Sequence, residues 1–228
     1  MKANFKISFL FSVLFGQFLF SQTLDQRNQI IKNYDLIKLS ELSNRFESEY
    51  LINYIKGLEF IELHNLPKEG LESDSTFFSL KGYDSSINDV IYYKAFNNTN
   101  TLSSIQTSRV QNLHNGSAID RVIKGENMIL GIWDGGQPLA DHQNLGTSRI
   151  INKDDEFTTG NNQGAIQNGI NHATHVAGTM IGNGIFNVFA KGVAPVGNLW
   201  ANTWDNDLVE MAKQSGKVIA KILKNKVK

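Results

Sequence analysis

The chain has 228 residues, 41% apolar and 19% charged, the proportions of a folded globular protein rather than a disordered one. Lys+Arg and Asp+Glu stand at 22 each, so no global basic field is available to gather nucleic acid. Cysteine is absent, which excludes disulfides, thiol catalysis and cysteine-bound zinc.

The N-terminus has the form of a secretory signal. Lys2 and Lys6 make a short positive region, and Ile7 to Phe20 is an apolar run shorter than the ~20 residues of a membrane span. The small residue Ser21 then offers a cleavage point near Gln22. Residues 1–22 are therefore expected to be removed on export, to the cell envelope or beyond, leaving a slightly acidic chain with no stable membrane span. An uncleaved anchor is the lesser alternative.

From Leu24 to about His64 apolar residues recur at helical spacing: Ile30, Tyr34 and Ile37, Leu42 with Phe46, and Leu51 with Ile55 and Leu58. Ser40 is placed to cap a second helix, and Pro67 and Gly70 close the segment. Two strand-like runs follow, Ser75 to Tyr83 and Ile87 to Phe96, joined by a polar Asp84-Ser85-Ser86 turn. Asn97 to Ser108 is polar and predicts a linker, so residues 23–108 form an N-terminal extension.

Beyond it, short apolar runs alternate with helical stretches, a texture that predicts an α/β fold with a doubly wound parallel sheet. Met128 to Trp133 is apolar on both faces, as a central parallel strand would be, and Asp134-Gly135-Gly136 follows at its C-terminal end. In open α/β sheets, functional groups gather at that end of a strand. A carboxylate there can hold a histidine in one tautomer and stabilise its cation. An ordinary Asp-Gly turn has the same composition.

The segment Asn171-His172-Ala173-Thr174-His175-Val176-Ala177-Gly178-Thr179 predicts a helix capped by Asn171 and ended by Gly182-Asn183-Gly184. His172 then lies in the first turn and His175 one turn on, with Val176, Ala177 and Met180 as the apolar face. Gly178 and the alanines are expected to allow close packing on the sheet. Two histidines at this spacing also suit a metal, although no Glu or Cys nearby completes a zinc motif, and both could be plain surface residues. Leu199 to Trp204 is a further strand. From Asp207 an amphipathic helix begins, with Asp207 and Glu210 as a weak capping box and lysines along its solvated side.

The order and wording of these blocks resemble the Asp and His blocks of the subtilisin-like serine proteases. The second is similar to that family's His-Gly-Thr-His-Val-Ala-Gly-Thr signature. Ala190-Lys191-Gly192-Val193-Ala194-Pro195 resembles its Gly-Val-Ala-Pro turn. The likeness covers roughly Gly125 to Met211, and makes residues 109–228 the N-terminal portion of an incomplete subtilisin-like peptidase domain. It implies a secreted serine endopeptidase with a polypeptide substrate, in which Asp134 orients His172, the general base, and His175 supports it. Gly135 and Ala173 depart from the family's usual Ser or Thr and Gly, at positions that perform no chemistry. The larger departure is the lack of a Gly-Thr-Ser-x-Ala nucleophile segment and of the oxyanion asparagine. Ser215, in Lys213-Gln214-Ser215-Gly216, does not replace them. These residues alone are therefore expected to be inactive, and a non-catalytic relic or binding module is the alternative. No cofactor motif is present, and calcium is implied only by the family.

Overall fold

The structure, a computed structural model, describes residues 24–95, 108–154 and 163–224. The signal segment 1–22 and most of the expected linker lie outside the described residues. Among those described, no helix is long and apolar enough to cross a membrane.

Two helices open the chain, α1 (Leu24–Lys32) and α2 (Leu36–His64). Asp35, not Ser40, caps α2. Its extended backbone lets the carboxylate accept the Lys38 amide at 3.0 Å, so the helix starts a turn earlier and Ser40 lies inside it. Asn65 ends α2 in the left-handed conformation, returning its N–H to the last-turn carbonyls.

Three strands follow where the sequence predicts two: β1 (Glu69–Leu71), β2 (Phe77–Asp84) and β3 (Asp89–Ala95), antiparallel in the order β1-β2-β3. Asp84 holds the expected turn by accepting the Ser86 amide and hydroxyl. β3 starts at Asp89 rather than Ile87, because Asn88 takes a left-handed conformation (φ 54°) and Ile87 points into solvent. α2 lies across this sheet with Ile61 against Leu80 and Val90, ringed by Tyr54, Leu58, Phe60, Tyr83 and Tyr92.

A short helix α3 (Gln111–His114) leads into the second unit. Its elements are β4 (Ile129–Asp134), β5 (Ile150–Asn152), α4 (Gln163–Ile181), β6 (Asn198–Thr203) and α5 (Asp207–Lys224). The three strands are parallel, in the order β4-β6-β5. The fold is thus α/β, but the central strand is β6. The apolar run at β4 predicts a central strand, whereas among the described residues β4 pairs on one side only and leaves Ile129 37% exposed. The core joins Ile132, Leu145, Ile150, Ala177, Ile181, Leu199 and Ala201. Arg149 closes its lower end: the guanidinium donates to the carbonyls of Ile181, Pro195, Gly197, Asn144 and Leu145, tying the end of α4 to the start of β6.

The two units meet at Trp204, just after β6. Its indole is stacked on Phe77 (ring centroids 5.4 Å apart) and on Tyr93 (5.3 Å). Lys213 on α5 reaches Glu47 on α2 at 3.2 Å.

Candidate functional site at the end of β4

Asp134 is the last residue of β4 and is 5% exposed. Parallel pairing puts it level with Thr203 of β6, so it stands at the C-terminal edge of the sheet. One carboxylate oxygen, Oδ1, accepts both the Gly135 amide at 2.6 Å and the Nδ1 of His172 at 2.7 Å. The two expected site residues, 38 positions apart in sequence, are in direct contact.

His172 reaches that place from the middle of a helix. α4 runs from Gln163 to Ile181, so neither the predicted first-turn position of His172 nor the cap at Asn171 holds. Asn171 instead accepts Gln167 Nε2 at 3.0 Å, one turn back along the helix. The helix starts earlier because its first half is held against the backbone after Asp134, a tertiary contact that outweighs two helical glycines. Ala173 and Ala177, both fully buried, form the packing surface. Gly178 is not part of it: a methyl added there would meet nothing within 4 Å.

The His172 side chain is 26% exposed. The hydrogen bond to Asp134 raises its pKa above the usual histidine value, against the opposing effect of burial. With Nδ1 engaged by a carboxylate, the imidazole is held with Nε2 as the nitrogen left to take a proton from elsewhere. His175 sits on the exposed side of α4. Among the described residues no group of three His, Cys, Asp or Glu converges to hold a metal.

Several polar groups around the strand ends were not anticipated. Asp154 Oδ2 accepts the amide and hydroxyl of Thr203 at 2.8 and 2.7 Å, while Gln137 Nε2 donates to the Asp154 carbonyl at 2.6 Å. Thr174 Oγ1 accepts the Leu139 amide at 2.9 Å and so ties the loop after Asp134 to α4. Asn202, wholly buried, donates to Ile132 O at 3.1 Å and accepts from Gln214. Glu210 does not form the capping box expected with Asp207. It accepts Trp133 Nε1 at 3.0 Å, and burial pushes its pKa up to about 7. Burial likewise raises Asp205 to about 6.

Ser215 does not approach His172, and neither does Ser148, which lies in a Gly-Thr-Ser run. Ser215 Oγ donates to Met211 O at 2.9 Å and lines a separate cleft with Asn33, Tyr34 and Leu42. Gly146-Thr147-Ser148 precedes β5, whose Ile150 pairs level with Leu199, as does Leu130 of β4. Ser148 therefore stands at the opposite end of the sheet from Asp134. No protein-family model, curated protein or solved structure matches the chain.

Proposed function

We propose that Asp134 and His172 are the orienting acid and general base of a subtilisin-type serine endopeptidase that is exported from the cell. The observation that carries the proposal is the 2.7 Å contact between Asp134 Oδ1 and His172 Nδ1 at a parallel strand end, made by the two residues the family signature singles out. In this role His172 Nε2 removes the proton of a serine hydroxyl as the hydroxyl attacks a peptide carbonyl, and later returns it to the leaving amine. Asp134 stays ionised and stabilises the imidazolium in between. The raised pKa of His172 is what such stabilisation produces.

The serine belongs to a Gly-Thr-Ser-x-Ala segment, which these 228 residues do not contain. The alternative reading is a non-catalytic binding module built on the same parallel sheet. Sequencing the DNA immediately downstream separates the two. The peptidase reading expects such a segment in some frame, and expects a polypeptide extended through it to react with a fluorophosphonate probe only while His172 is intact. Labelling that survives His172→Ala in the extended chain, or the absence of any such segment, overturns it.

A further inference from the structure

We propose that Gly169 is a positioning residue for His172: the bare backbone there lets α4 seat against Gly135 and Gly136, which places the imidazole on Asp134. The inference rests on the proposed function, since it concerns how the same site is assembled.

A glycine inside a helix is destabilising by about 1 kcal/mol relative to alanine, so an interior glycine calls for a local reason. Gly169 is buried, and a methyl built on it would overlap the carbonyl oxygen of Gly135 and lie 2.8 Å from the carbonyl carbon. The fit is reciprocal. A methyl on Gly136 would lie 2.8 Å from Ile170 N and 2.9 Å from the Gly169 carbonyl carbon. Every atom in this contact is backbone, so no flexible side chain can swing aside.

Both halves of the contact are next to the candidate pair. Gly135 follows Asp134 directly, and its amide is already bound to the Asp134 carboxylate. Gly169 precedes His172 by three residues, which puts the two on one face of α4. The separation of helix and strand end at the Asp134–His172 bond is therefore set by this glycine contact. To admit a methyl at Gly169 the helix must retreat by about 1 Å, enough to carry a 2.7 Å hydrogen bond past the distance at which it counts as one. Misplacement on that scale is also what disables catalytic groups.

The test follows the titration of His172 by NMR in the full chain, labelled on its histidines. Four forms are compared: the natural chain, Asp134→Asn, Gly169→Ala and Gly178→Ala. Asp134→Asn is expected to lower the His172 pKa and abolish any downfield Nδ1 proton. Gly169→Ala should reproduce most of both changes while Gly178→Ala reproduces neither. A Gly169→Ala chain that titrates like the natural one overturns the positioning role and leaves the proposed function standing. If Asp134→Asn itself changes nothing, the pair does not form, and both proposals fall. Where Gly169→Ala does not fold, Gly136→Ala presses on the same contact from the strand side, with the same expected and overturning results. Intact titration shifts in all the expected variants, combined with an extended chain that fails to label, would sink the peptidase reading alone.

Discussion

The seam between α4 and β4 and the seam around Trp204 are built on opposite principles. In the first, two backbones touch through Gly169, Gly135 and Gly136, and the buried side chains are alanines. In the second, Trp204 lies between the rings of Phe77 and Tyr93, and Gly135 has the edges of Trp204 and Phe77 on its other side. Gly135 is thus shared by both seams. The small-residue seam should be damaged by adding atoms, and the aromatic seam by removing them.

The largest effect is expected from Trp204→Ala. It deletes a nearly buried indole and both stacking partners' contacts, a loss of about 3–5 kcal/mol for large aromatic truncations. Urea denaturation should show the midpoint falling accordingly. Trp204→Phe sharpens the comparison. It keeps a ring in the stack and removes an indole N–H that is buried without a partner, so its cost should be a minor fraction of the alanine variant's. Equal losses in the two variants would mean that the stack contributes little.

The opposite change tests the other seam. Ala177→Leu forces a larger side chain into the fully buried face between α4 and the sheet, beside Ile132 and Leu199. Overpacking of this kind costs about 1–3 kcal/mol. If the urea midpoint is unchanged, the alanine surface has slack and the contrast between the seams fails.

How far these features were legible in the sequence follows the same division. The period of α2, the two longer strands and the Asp134 strand end were readable, because each is marked by a local pattern of apolar residues or by a motif. β1 is three residues around a glycine and shows no alternation. The first half of α4, Gln163 to Ile170, carries Gly164 and Gly169 and reads as a poor helix, so the sequence pattern puts the cap at Asn171. Their helical state goes with a tertiary contact, the Gly169 backbone against that of Gly135 and Gly136, which no local pattern encodes. Glu210, Asn202 and Asp154 find partners 77, 70 and 49 residues away, and no local pattern announces such bonds.

The border between the seams is charged, and that gives a pH dependence. Asp205 follows Trp204, and its pKa is raised to about 6, first by burial and then by Asp154, Glu69 and Asp207, with Lys68 opposing. An acid whose folded pKa is raised binds its proton more tightly in the folded state. Its contribution to stability is therefore complete below pH 3.8 and lost as the pH climbs through about 6. Glu210 behaves alike between 4.5 and about 7, with Trp133 opposing the rise. His172, also raised, loses its contribution as the pH rises beyond 6.5. All three slopes have the same sign, so the urea midpoint should fall from pH 4 to above 7. Asp205→Asn should remove the lower part of that fall and add roughly 3 kcal/mol at pH 8, the order given by ~1.4 kcal/mol per pH unit for a displacement from 3.8 to about 6. A midpoint that rises with pH over this interval contradicts the assignment.

The smallest expected effect separates two glycines of one helix. Gly178 and Gly169 both lie inside α4, and intrinsic propensity treats them alike. Their surroundings do not. A methyl at Gly169 would run into the backbone of Gly135, whereas one at Gly178 would meet no atom within 4 Å. Gly178→Ala also keeps the backbone groups by which its carbonyl accepts the Gly182 amide at 2.9 Å. What remains is the change in chain entropy, because alanine has fewer unfolded conformations to lose and fits a helical φ without strain. The variant should therefore gain about 0.4–1 kcal/mol, seen as a higher urea midpoint with an unchanged slope. A loss of stability at Gly178 would show that α4 packs there against something these contacts do not include, and that the small-residue seam extends further along the helix than Gly169 to Ala177.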